Sequence, residues 1–270
     1  MMDEKVGRDE EQLVMEQLIS FIKKDDIEQF REQFFELHPY EQAQFYEKVT
    51  PPIRQKIYYY LSPQELAEVF QALEIDDDTY VEFLNEMDVS YAAAMLSEMN
   101  TDDVVDVFHE LDDEDRTQYL TLMDDETAEE IHELMQYADY TAGAIMTTEY
   151  VSINENSTTR MAMNILRNEA PTAETIYYIF ITNMKKQLVG VISLRDLIVA
   201  GENVLIRDIM NERVVSVQAS DDQEEVAQIM RDYNFLALPV IDEQKTLLGI
   251  ITVDDIIDVI DEEAEDDYSK

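Results

Sequence analysis

The sequence predicts an α+β multidomain protein: an all-α superhelical N-terminal domain followed by a duplicated α/β pair. Two observations carry this reading. Helix-start signals recur every 12 residues in the first half, and an alternating strand–helix pattern in the second half repeats at an offset of 64 residues. A third feature, a net charge of −43 over 270 residues, bears on what the folded chain meets.

Apolar residues fall at helical spacing from the start, as in Leu13, Met15, Leu18, Ile19 and Ile22. Lys24-Asp25-Asp26, His38-Pro39 and Pro51-Pro52 mark boundaries between helices. Leu61-Ser62-Pro63-Gln64-Glu65 combines an apolar staple, an N-cap, a first-turn proline and a capping-box glutamate. The same start returns at Met87-Asp88, Met99-Asn100, Leu111-Asp112 and Met123-Asp124. Twelve residues hold about eight of helix plus a tight turn. Such helices are too short to stand alone, so they must stack in a solenoid-like array.

From Gly143 the pattern changes. Ala144–Met146 followed by Val151-Ser152-Ile153 is echoed by Asp208–Met210 followed by Val215-Ser216-Val217. Each copy continues with a helix (around Met161–Arg167 and Glu225–Arg231) and an apolar strand (Tyr177–Ile181 and Ala237–Ile241). Each then closes with a second strand running into a helix, at Gly190–Asp196 and Gly249–Asp255. Two β-α-β-β-α copies make one pseudo-symmetric unit whose sheets share a core.

The charge excludes some partners. Self-repulsion at −43 argues against nucleic acid and anionic lipid and favours cations. Between Ile57 and Tyr140 there are 25 acids and one base, Arg116. The stretch Asp254–Asp267 holds nine carboxylates in fourteen residues. On a helix, Asp254, Asp258, Asp261 and Glu265 share a face, with Ile256, Ile257, Val259 and Ile260 opposite. Two carboxylates about 4 Å apart repel by about 4 kcal/mol at an effective dielectric near 20. A divalent cation reverses that sign, and Mg²⁺ prefers hard oxygen donors. The alternative is an acidic face that is simply solvated.

Nothing points to an enzyme. His38, His109 and His132 have no metal-ligand spacing; His38 punctuates a helix and the other two suit exposed helix faces. Five glycines leave no phosphate-binding loop, and the absence of cysteine removes thiol chemistry. No apolar run is long enough to cross a bilayer, and the N-terminus has no secretory signal.

Gly190-x-Ile-Ser-x-x-Asp196 and Gly249-x-Ile-Thr-x-x-Asp255 resemble the strand-to-helix signature of tandem CBS domains. Ala142–Tyr150, Ala173–Tyr178, Ser193–Ala200, Asp222–Val226 and Thr252–Asp255 resemble the corresponding segments of MgtE-type magnesium transporters more closely. The resemblance implies four divisions: an acidic helical N-terminal domain over 1–137, CBS domain 1 over 138–204, CBS domain 2 over 205–260, and the start of an acidic connecting helix over 261–270. It implies a non-enzymatic cytosolic region at the membrane's cytoplasmic face. That region would be a homodimer through its CBS domains and would act on a transmembrane domain outside this chain.

The resemblance also selects residues. Regulatory Mg²⁺ would join the helical domain to the CBS pair through Asp102 and Asp106 against Asp255 and Asp258. A second cluster would draw on Glu224, Glu263, Asp266 and Asp267 with the Ala144 carbonyl. Asn234 stands where the family can supply an aspartate, and Lys56 near where another family acid belongs. ATP or a related adenine nucleotide would meet Tyr178, Arg195, Asp196 and Phe235: a stacking ring, a phosphate-facing cation, a ribose acceptor and a second ring. The bland counterpart is two core aromatics and an arginine paired with a nearby acid. Two other functions remain open, an adenine-nucleotide sensor regulating a different membrane protein and a helical scaffold with no ion role.

Overall fold

Short capped helices build the first half of the chain. The computed structural model describes residues 3–260, with side chains from residue 12 onward. It divides into two units, Met1–Met99 with Asp103–Glu129, and Asn100–Asp102 with Glu130–Lys270.

The first unit is all helical: α1 (Asp3–Lys23), α2 (Ile27–Phe34), α3 (Pro39–Lys48), α4 (Pro51–Tyr60), α5 (Pro63–Gln71), α6 (Asp77–Asn85), α7 (Val89–Leu96), α8 (Thr101–Glu110), α9 (Asp113–Leu122) and α10 (Asp125–Leu134), with Thr101 and Asp102 of α8 and Glu130–Leu134 of α10 grouped with the second unit. The capping signals are used as the sequence implies. Ser62 and Glu65 form a reciprocal capping box, Asp88 and Asp112 accept from first-turn N–H groups, and Asp124 accepts from Thr127 N–H at 3.0 Å. His38 also caps a helix, its Nδ1 accepting from Tyr40 N–H. One start on the 12-residue register had gone unread, at Asp76, twelve residues before Asp88. Asp76 caps α6 fourteen residues after Ser62, and its signal was the Asp76-x-x-Thr79 pair, bonded through both backbone and hydroxyl.

Alternate helices stack on one another, α3 on α5, α5 on α7 and α7 on α9, as a short-helix superhelix requires. Aromatic rings fill the middle, with Phe30, Phe34, Phe45, Tyr46 and Phe70 almost fully buried. Arg54 is 5% exposed, donates to both carboxylate oxygens of Glu86 at 2.7 Å, and lies 4.3 Å from the Phe83 ring centre. That pair ties α4 to the end of α6.

The α/β unit consists of two three-stranded sheets. In the first, β1 (Tyr150–Asn154) runs parallel to β2 (Thr175–Thr182), which pairs antiparallel with β3 (Leu188–Ser193). In the second, β4 (Val217–Gln218), β5 (Ala237–Ile241) and β6 (Leu247–Thr252) repeat that order. Helices α11 (Thr159–Glu169) and α12 (Leu194–Val199) belong to the first copy. Helix α13 (Gln223–Tyr233) and a helix over 253–260, α14, belong to the second. The expected strand over Val215–Val217 begins only at Val217, because just Val217 and Gln218 reach ladder partners in β5.

The copies exchange their leading segments. Ala142 and Gly143 donate to the carbonyls of Asp221 and Ala219, while Ile206 and Arg207 donate to those of Ser157 and Glu155. Every member of one set lies 64 residues from its counterpart in the other. One buried cluster joins Phe180 with Ala237, Leu247 and Ile250, so the two sheets do share a core.

Candidate cation and nucleotide sites

The two strand-to-helix junctions have the same backbone and different chemistry. In the first, Ser193 caps α12 by accepting from Asp196 N–H at 3.1 Å, which leaves the Asp196 carboxylate exposed beside exposed Arg195. Tyr178 lies directly across the ladder from Ser193, so three of the four residues expected for a nucleotide gather here. Phe235 precedes β5 by one residue, Leu236, and Tyr178 packs against the cluster that Ala237 enters at the start of that strand. Tyr178 and Phe235 are half-buried, neither wholly core nor wholly exposed.

At the second junction the polarity is reversed. Ala237 lies across from Thr252, where the first copy has Tyr178, and Asp254 replaces Arg195. Here the acid accepts: Asp255 Oδ2 takes the Thr252 N–H at 2.9 Å and the Thr252 hydroxyl at 2.8 Å. Burial pushes the Asp255 carboxyl above its usual range, the Thr252 bonds pull it back, and the charges of Asp258 and Asp254 push it up again. A carboxylate withdrawn from water beside two others is stabilised by a divalent cation, and its oxygen donors suit Mg²⁺.

Ile256 and Val259 turn inward from α14, while Ile257 and Ile260 are 51% and 38% exposed. The expected apolar face is therefore split. Residues three apart share the narrow stripe that packs, and their neighbours, 100° round the helix, do not.

Asp102 is half-buried and grouped with the second unit; Asp106 is exposed, one turn later, in the first. Among the described residues no three acids or histidines gather closely enough to hold a metal ion. Thr141 bridges Asp222, Gly143 N–H donates to the Ala219 carbonyl and Gln223 N–H donates to the Tyr140 carbonyl, so along this antiparallel pairing Ala144 and Glu224 run in opposite directions from the Thr141–Asp222 bridge. Glu263, Asp266 and Asp267, with the expected connecting helix, lie outside the described residues. Asn234 is exposed and ends α13 in the left-handed region at φ 53°, a conformation asparagine tolerates well. Its backbone role accounts for an amide at that position.

One polar cluster was not anticipated. Within the second unit, Glu149 receives the Thr101 N–H at 3.2 Å, the Thr101 hydroxyl at 3.1 Å and the Thr147 hydroxyl. Asn100 donates to the Glu174 carboxylate, and Glu174 N–H donates to the Glu149 carbonyl at 2.7 Å. The first N–H of α8 thus finds a carboxylate 48 residues away. Thr147-Thr148-Glu149 offered a polar signal, but no spacing rule could pair it with Thr101.

A model of the MgtE intracellular N domain matches residues 37–140, and a CBS domain model matches residues 142–203 and 206–262. The chain is 53% identical to a crystal structure of the soluble part of a magnesium transporter. It superposes with a TM-score of 0.91 over 94% of this chain and 99% of that one. The chain belongs to the MgtE family. It is 60% identical over 260 residues to magnesium transporter MgtE of Enterococcus faecalis, which covers 96% of this chain and 57% of that protein. It is 37% identical over 253 residues to MgtE of Bacillus subtilis, covering 94% and 56%. The chain thus spans a little over half the length of these relatives, and it corresponds to the N-domain and CBS region of MgtE. A crystal structure of the cytosolic domain of the Mg²⁺ channel MgtE in complex with ATP is 36% identical, with a TM-score of 0.81 over 90% of this chain and 98% of that one.

In this MgtE chain Lys56 is not idle where an acid was expected. Its ammonium donates to Asp25 at 2.5 Å and to the Ile22 carbonyl at 3.2 Å, and it holds the Asp25 carboxyl below its usual range. His109 and His132 are exposed, as expected. Among the described residues no helix is long and apolar enough to cross a membrane.

Proposed function

We propose that this chain is the cytosolic Mg²⁺-sensing and gating region of a magnesium transporter. Mg²⁺ would bridge acids of the helical domain (Asp102, Asp106) and of the CBS pair (Asp255, Asp258), hold the domains together and favour a closed pore. A second set, Glu224, Asn234, Glu263, Asp266 and Asp267 with the Ala144 carbonyl, would do the same for the connecting helix. As Mg²⁺ falls, repulsion among the acids would separate the domains and permit entry. This is a population shift by a ligand that binds one state better.

The observation that carries the reading is Asp255, a carboxylate kept from water and pushed up by Asp254 and Asp258. The 25 acids against one base in Ile57–Tyr140 supply the opposing surface. The relatives' names support magnesium as the ion. The acting partners would be a second copy and the protein's own membrane domain, at the cytoplasmic face, with no catalytic step.

Small-angle scattering and limited proteolysis at matched ionic strength test it. Millimolar Mg²⁺ should compact the chain and protect it. Asp102→Ala with Asp255→Ala should abolish the response, and Asp113→Ala should not. Asp113 is the better control than Asp112, because Asp112 caps α9. Equal dimensions with and without Mg²⁺ would return the acids to a solvated surface.

An adenine nucleotide is a second ligand by this reading. The exposed Asp196 and Arg195 beside Tyr178 support it, as does the complex of a related cytosolic domain with ATP. A sensor acting on a different membrane protein is the alternative; hydrophobic spans following this sequence would argue against it.

A further inference from the structure

Phe235 does not stand alone. The Tyr233 ring stacks on it, with centroids 5.2 Å apart and planes inclined by 7°. The turn that makes this possible is unusual: Tyr233 is the last residue of α13, Asn234 reverses the chain at φ 53°, and Phe235 N–H bonds back to the Met230 carbonyl at 3.0 Å. Tyr233 is 60% exposed, so it is not a core residue that meets Phe235 by crowding. Without a partner, a half-buried ring at the end of a turn would sample several orientations, and each costs a ligand some ordering on binding.

We propose that Tyr233 is a positioning residue for the nucleotide site, holding Phe235 in plane so that its opposite face is preset for a purine base. The inference rests on the nucleotide reading above and adds a residue to it. The left-handed Asn234 is part of the device, since it brings ring i and ring i+2 onto one side of the chain. The neighbouring Leu236 is 43% exposed and its carbonyl accepts from Val253 N–H at 3.0 Å, which anchors the same turn to the start of α14.

Calorimetry on the full chain tests this, with ATP and inorganic tripolyphosphate as separate probes. Tyr233→Ala should weaken ATP about three- to tenfold, the range of one aromatic stacking pair. It should leave tripolyphosphate unchanged, because only the base meets Phe235, and Tyr233→Phe should bind ATP as the parent does. Loss of both probes together would mean that Tyr233 supports the fold and not the base, overturning the proposal. Failure of Tyr233→Phe to recover affinity would overturn it too, by assigning the effect to the hydroxyl. Parental ATP affinity in Tyr233→Ala, with Phe235→Ala impaired, would remove Tyr233 and keep the site. Parental affinity in Phe235→Ala would remove the site itself.

Discussion

Gly249 lies against Met146: a Cβ built on Gly249 would stand 2.9 Å from the Met146 Sδ and 2.7 Å from the Thr147 carbonyl oxygen. The contact closes the exchange between the copies, where Thr147 and Ile250 donate to each other at 2.8 and 2.9 Å. Its counterpart is Gly190 against Met210, whose Sδ would lie 2.5 Å from a Cβ.

The two glycines should respond differently to alanine. At Gly190 the obstacle is a flexible methionine, which can swing away. At Gly249 it includes backbone held by two hydrogen bonds. Gly249→Ala should cost about 1–3 kcal/mol in urea unfolding, with Gly190→Ala costing less. Equal losses would count against the exchanged segment as the rigid element.

Glu86→Gln should destabilise the helical unit by about 3–5 kcal/mol, because it leaves the Arg54 guanidinium buried without its counter-charge. The side chains of Arg54 and Glu86 are only 6% and 13% accessible. A change under about 1 kcal/mol would place the pair among surface ion pairs.

Asp255→Asn should raise the melting temperature in chelator at neutral pH. A carboxyl whose folded pKa is raised favours the folded state below its unfolded pKa, and that advantage is lost as pH rises through the folded value. At neutral pH the ionised Asp255 is therefore a cost that the amide removes while still accepting from Thr252. The gain should shrink as pH is lowered from neutral towards the carboxylate range. It should also reverse in millimolar Mg²⁺, where the parent alone has the anionic donor. A stabilisation unchanged from pH 3 to 7 would contradict this account.

The CBS pair should self-associate. Ile198 and Ile257 hold equivalent places 59 residues apart and are 62% and 51% exposed, next to Val199 at 76% and Ile260 at 38%. A cleft of about 260 Å³ between α11 and α12 has Leu197 and Ile198 in its lining, with Arg160 and Arg167, and none of the four nucleotide candidates. Sedimentation should give a dimer at tens of micromolar protein. Ile198→Asp with Ile257→Asp should give a monomer that keeps its melting cooperativity. A parent that stays monomeric would remove this face as an interface.

Local rules and the duplication determined a good deal from sequence alone. Ser62, Asp88, Asp112 and Asp124 cap their helices because a side-chain oxygen two or three residues before a free N–H needs no tertiary help. The β-α-β-β-α order followed from periodicity, and Tyr178, Arg195 and Asp196 gather because one hairpin and one helix start place them. What depended on distant partners was decided only by the tertiary structure. No spacing in the chain shows that Asp255 turns its carboxylate onto Thr252 while Asp196 leaves its own exposed, since both sit in the same motif. Nor does it show that Glu149 receives Thr101, or that Lys56 pairs with Asp25. Charge and burial at a site come from whichever segments packing brings together, and those segments lie 31 to 48 residues apart in these pairs.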